Sequence, residues 1–256
     1  MSIVAVLLLA GELIRAPNEI PFDSGAIAVR LKRGGGVRWT AEWTMAPAEH
    51  QGRKAVRFTE QGRGRLHPYM QDVRWSLEAL WLAGDGFRPL EFEKTVTGLN
   101  GGVLAAERKR FDPAKGVVRF ERIGAGGRSE VRTLETAADV LAVEGIAGVL
   151  RFLPFGRFEK FSSHILSNEP KQYPVTFQPR GRERVETPAG AFECYKVEVV
   201  PDAGFLNLFR LFFPKAFFWF TADPPHFWVR YEGPESGPGS PEVVMELTSS
   251  KARTTP

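Results

Sequence analysis

The sequence predicts a mainly-β protein: a strongly curved antiparallel sheet or open β-barrel, built as a meander, with one principal helix packed in or across its mouth. Three observations carry that expectation. Apolar and polar residues alternate in run after run, the period of two that a half-buried strand requires. The runs are eight to ten residues long, and 26 glycines and 19 prolines are dispersed along the chain to turn it between them. Only over residues 137–153 does the apolar period lengthen to about 3.6.

Residues 1–19 form an N-terminal apolar, leader-like segment ahead of a single β-rich domain at 20–250 and a frayed tail at 251–256. The run Ile3 to Ala10 is too short to cross a bilayer, which takes about 20 apolar residues. It fits a secretory apolar region of roughly 7–15 residues, without the usual basic flank, or else a buried first strand or helix. No cysteine follows it, which excludes a lipoprotein anchor at that position.

In "VRWTAEWTM", Val37, Trp39, Ala41, Trp43 and Met45 face one way, and Arg38, Thr40, Glu42 and Thr44 the other. "RKAVRFTEQ" repeats the pattern through Val56 and Phe58, and "DVRWSLEALWLAG" through Val73, Trp75, Leu77, Ala79 and Trp81. Arg74 and Glu78, four apart, would also suit a helix, but the alternation outweighs them. Gly84-Asp85-Gly86, Gly98 to Gly102 and Asp112 to Gly116 turn the chain into "FRPLEFEKTVTG", "VLAAERKRFD" and "VVRFERIG".

At 137–153, Val140, Val143, Ala147 and Leu150 share a helical face, with Asp139 placed to cap it and Pro154 to stop it. Gly145 and Gly148 weaken that helix. "YPVTFQPRGRERVETPAGAFECYKVEVV" reads as a hairpin in which Pro188 presets the turn and Gly190 takes the left-handed position. "AFFWFTA", "FWVRYEG" and "VVMELTS" supply the remaining strands. "FLNLFRLFFPKAFFWF" is interrupted by Arg210, Pro214 and Lys215, so it does not span a membrane. Its second part, Phe217 to Phe220, reads as a strand apolar on both faces; Phe205, Phe209 and Phe213 form either core or a membrane-touching lip beside Arg210 and Lys215.

Catalytic signatures are missing. His50, His67, His164 and His226 are scattered without metal-ligand spacing, so no metal or cofactor is expected. His226, near Asp223 and Glu232, is the one candidate acid–base residue, against the plainer reading of a strand-edge histidine. Cys194 has no histidine nearby and reads as an inert thiol. A net charge of +4 is too slight for nucleic acid. Arg108-Lys109-Arg110 and the alternating Arg180, Arg182 and Arg184 suit a solvated sheet face or an anionic partner such as lipid head groups.

"RPLEFEKTVTG", the region 140–152, "GRERVETPAGAFECYKVEVV" and "FFWFTADPPHFWVRYE" occur in an order that resembles an uncharacterised family of bacterial exported proteins, domain of unknown function 3108, over residues 20–248. The resemblance implies a curved sheet similar in architecture to periplasmic lipoprotein carriers, and a periplasmic or cell-envelope location, with the cytoplasm as alternative. It supplies no functional residues. The expected function is non-enzymatic binding of an apolar or amphiphilic ligand, a lipid or glycolipid. Trp39, Trp43, Trp75, Trp81, Trp219, His226 and Trp228 are its candidate ligand-binding residues. A module that binds another envelope protein through a sheet edge is the alternative, and an enzyme using His226 a third.

Overall fold

The structure, a computed structural model, describes residues 13–124, 126–168, 171–201, 215–237 and 239–253. Among these the chain forms strands β1 (Phe22–Leu31), β2 (Val37–His50), β3 (Arg53–Gly64), β4 (Val73–Ala83), β5 (Phe87–Gly98), β6 (Val103–Asp112), β7 (Val117–Gly124), β8 (Ser129–Glu135) and β9 (Val140–Ala142). A five-residue helix α1 (Ile146–Leu150) follows. After it come β10 (Phe161–Leu166), β11 (Gln172–Thr187), β12 (Gly190–Pro201), β13 (Ala216–Thr221), β14 (Trp228–Pro234) and β15 (Glu242–Arg253).

All the strands belong to one sheet, ordered β8-β7-β6-β5-β4-β3-β2-β1-β15-β14-β13-β12-β11-β10-β9. Neighbours in sequence are neighbours in space, as short turns dictate, and β1 pairs with β15 to join the two halves. Every pairing is antiparallel except β9 with β10. The sheet is open, with β8 and β9 as its edges. It nevertheless curls: Met45, Trp81 and Phe92 from one half share a core with Phe161, Phe177, Val197 and Phe220 from the other. Side chains on one face of one sheet meet this way only if that face turns inward, so the sheet has an inner and an outer side. No helix among the described residues is long and apolar enough to cross a membrane.

The expected helix over 137–153 is corrected by the structure. Val140–Ala142 form β9 against β10, and only Ile146–Leu150 are helical. Asp139 caps nothing; its carboxylate meets His164 Nδ1 at 2.8 Å. Gly145, at φ 71°, holds a left-handed conformation that breaks any helix arriving from upstream. Three consecutive buried residues in β9 produced the helical appearance, because a strand buried on both sides loses its alternation. Ile146, Val149 and Leu150 are buried in the core shared by both halves of the sheet.

The hairpin stands where the sequence places it. Thr187 pairs with Gly190, and Gly190 has φ 133°. A Cβ there would meet Phe192 at an ordinary 3.8 Å, so the cost of substitution lies in the backbone alone. Gly190→Val is expected to lower stability by about 1–2 kcal/mol in urea unfolding; an unchanged midpoint would contradict the turn geometry.

Phe205 to Phe213 lie outside the described residues, as do residues 1–12. Ile14, just after the latter, is buried in the core, and its carbonyl accepts the Phe87 N–H at 2.9 Å. In β13, Trp219 and Phe220 are buried while Phe217 and Phe218 are half-buried, so the strand is apolar on both faces as expected.

Candidate functional site

Strand register lines up one inner-face residue from each of seven consecutive strands. Gly25 of β1 stands opposite Trp43, Trp43 opposite Glu60, and Glu60 opposite Leu77. Leu77 then faces Lys94, Lys94 faces Glu107, and Glu107 faces Arg122 of β7. This row is a polar belt between two largely apolar lines of side chains. On one side of it runs the line Met45, Phe58, Ala79, Phe92; on the other, Ala41, Gly62, Trp75, Val96. The belt accordingly divides the interior into two apolar clusters.

Two tryptophans bridge them. Trp43 and Trp228 pack against both clusters, and their buried Nε1 atoms lack a hydrogen-bond partner. The other indoles nearby are satisfied: Trp75 Nε1 donates to Glu60 at 2.8 Å, and Trp39 Nε1 donates to Glu235. The large rings fit because glycines face them. A Cβ on Gly25 would lie 3.0 Å from Trp43 Cε2, and one on Gly62 would overlap the Trp75 ring. Trp43 also stacks on Phe58, with centroids 6.3 Å apart.

Glu60 is half-buried and stands between Trp43 and Leu77 in the belt. Burial pushes its carboxyl above the usual 4.5, against the opposing pull of the Trp75 N–H and the Lys94 charge. The sign follows from linkage. A carboxyl with a raised folded pKa stabilises the fold most below about 4.5, and that contribution is lost as pH rises through the folded value. Glu60→Gln keeps an acceptor for Trp75 but cannot ionise. It is expected to gain stability relative to wild type progressively above pH 4.5, measured by urea unfolding across pH. A pH-independent difference would show that Glu60 does not titrate in this way.

Further along the belt, Arg122 Nε donates to Glu107 at 2.7 Å. Lys94, opposite Glu107, makes no ion pair among the described residues. Tyr69, beside Glu107 and Arg122, is pushed up by burial and by the Glu107 charge.

The candidate residues are only partly assembled. Trp43 and Trp228 each pack against both clusters, Trp39 and Trp75 sit in one flanking cluster, and Trp81 in the other. Trp219 lies on the outer face with Val185, Cys194 and Val229, donating to Glu183 at 2.6 Å. His226 packs on Phe155, centroids 4.8 Å apart, and its Nδ1 meets the Thr221 carbonyl at 2.8 Å. Glu232 pairs with Arg230 and Lys32, while the His226 backbone N–H donates to the Asp223 carbonyl at 3.0 Å. The short basic run is alternately turned: Arg108 and Arg110 pair with Glu93 and Glu91, while Lys109 points inward. Arg180 pairs with Glu198. Cys194 is buried, and its thiol is pushed up to about 12 by desolvation with Glu193 and Glu183 adding to it.

Sequence reasoning missed Glu60, Lys94, Glu107 and Arg122. The signal was present for two of them: Glu60 shares the parity of Val56 and Phe58, and Lys94 that of Phe92 and Val96.

The profile of a family described as "Protein of unknown function (DUF3108)" matches residues 30–248. The chain belongs to this family. Two solved structures resemble this DUF3108 protein across 93% of its chain. One is a candidate exported protein with a YmcC-like fold from Bacteroides fragilis, 11% identical over 99% of that chain, TM-score 0.37. The other is a candidate lipoprotein from Parabacteroides distasonis, 12% identical over 98% of that chain, TM-score 0.36. No curated protein matches the sequence.

Proposed function

We propose that this DUF3108 protein is a non-enzymatic component of the bacterial cell envelope that binds an apolar or amphiphilic ligand, a lipid or glycolipid, on the inner face of its sheet. The observation that carries the reading is the pair of buried, unpartnered indole N–H groups on Trp43 and Trp228, at the junction of the two apolar clusters. An unmet buried donor costs about 1–3 kcal/mol, so these two, each packed against both clusters, mark where ligand oxygens would be gained. Phe58, Phe218 and the two indoles keep accessible apolar surface there for a hydrocarbon portion. The envelope location rests on the leader-like N-terminus and on the exported character that the sequence resemblance implies.

Native mass spectrometry after gentle extraction tests this. Wild type is expected to carry a lipid-sized adduct, and Trp43→Phe/Trp228→Phe, which keeps the apolar bulk but removes both donors, is expected to lose most of it. Wild type without any adduct, or an adduct unaffected in the variant, would overturn the reading.

A further inference from the structure

We infer that the ligand's head group carries a single acidic group, a carboxylate or a phosphate, and that Lys94 is its counter-ion. The inference rests on the inner face being the binding site and adds the chemistry of the head. Lys94 lies in the belt with one free ammonium among groups that are otherwise engaged. Its lateral neighbours are Leu77, which is apolar, and Glu107, which accepts from Arg122. Phe92 and Val96, its same-face neighbours along β5, are both buried. The other charged groups facing it are Lys109, opposite Phe92 and paired with Glu144, and Glu60, which accepts the Trp75 N–H.

Charge counting then leaves one position open. Glu107 and Arg122 offset each other across β6 and β7. Glu60 stands two strands away across Leu77, and burial pushes its carboxyl upward, which weakens it as a competing anion. Lys94 is thus the belt cation without an ion-pair partner among the described residues, and an ammonium in such a place gains most from a charge-assisted bond to an anion.

The belt also orients the occupant. Trp43 and Lys94 are three strands apart, roughly 14 Å at the usual spacing between neighbouring strands. An amphiphile lying across the strands would place its acid at Lys94 and its body against Trp43, Phe58 and Trp228. The same charge could in principle hold a free small anion, and the probes below separate the two.

The test uses the full chain, stripped of co-purified material, and four probes followed by tryptophan fluorescence at low salt: dodecanoate, dodecyl phosphate, dodecanol and inorganic phosphate. Wild type is expected to bind the two acidic amphiphiles about tenfold or more tightly than dodecanol, with no binding of inorganic phosphate at the same concentrations. Lys94→Gln is expected to remove that preference while leaving dodecanol affinity and the melting temperature unchanged, and Lys94→Arg to retain it.

Equal binding of dodecanol and the acids by wild type, or an acid preference that survives in Lys94→Gln, would overturn the acidic head and leave the inner-face reading intact. Inorganic phosphate binding as strongly as dodecyl phosphate would overturn the amphiphile in favour of a small-anion site. Failure of every probe to bind wild type would remove the inner-face reading itself.

Discussion

Lys109→Met is expected to destabilise the protein by about 3–5 kcal/mol in urea unfolding at neutral pH. Lys109 is fully buried, and its Nζ lies 2.5 Å from a carboxylate oxygen of Glu144, whose side chain is only 4% exposed. It donates as well to the Ser167 carbonyl at 3.1 Å and sits 5.0 Å from the centre of the Phe92 ring. Removing the lysine would strand a buried carboxylate whose Oε2 already lacks a partner. Replacing both members is a different matter, since an apolar pair of similar volume restores neutrality. Lys109→Met/Glu144→Leu is therefore expected to recover most of the loss. A single-variant cost below about 1 kcal/mol would mean that the pair is solvated.

The size of that effect reflects where the pair lies. Glu144 follows β9 and Ser167 follows β10, at one end of the sheet, while Lys109 belongs to β6 near the other. The two ends are not joined by a backbone ladder, so this side-chain clasp and the apolar contacts of Val118 with Val140 and Leu166 join them, beside the larger core shared by both halves. With total stabilities of about 5–15 kcal/mol, losing the clasp would threaten the curl on which the inner face depends.

The second large effect is expected from the smallest possible change. Gly62→Ala adds one methyl group in a strand, where such a substitution ordinarily stabilises by about 0.4–1 kcal/mol when the site is open. At Gly62 the new Cβ would overlap the Trp75 indole, which lies flat across that glycine. The ring must move, and with it go its N–H bond to Glu60 and its edge-on contact with Trp39, whose centroid is 5.2 Å away. Overpacking of this kind costs about 1–3 kcal/mol, to which a lost buried hydrogen bond adds about 1. Gly84, where an added methyl would find nothing within 4 Å, is the matched control: Gly84→Ala is expected to be neutral or slightly stabilising. Equal melting temperatures for both variants would show that Trp75 does not occupy the space over Gly62.

Alternation along single strands was readable without coordinates because it is a local consequence of the pleat. Trp39, Ala41, Trp43 and Met45 had to share a face wherever β2 went. The Thr187 to Gly190 hairpin was equally legible, since its turn chemistry is contained in four residues. Family membership too could be recognised from ordered strand and turn motifs. The length of α1 could not be read, because a doubly buried strand and one face of a helix present the same apolar spacing over three residues.

The belt belongs to the tertiary structure alone. Trp43, Glu60, Leu77, Lys94, Glu107 and Arg122 come from six strands, and they align only once every turn between them has set its register. A slip of one residue in any pairing would send the next side chain to the outer face. Which face turns inward is likewise undecided within a strand. Phe218 and Trp219 were sure to point oppositely, but only the curl of the whole sheet placed Phe218 inside and Trp219 outside. Side-chain parity is a property of the local backbone, whereas register and curvature are set by contacts between residues far apart in the chain.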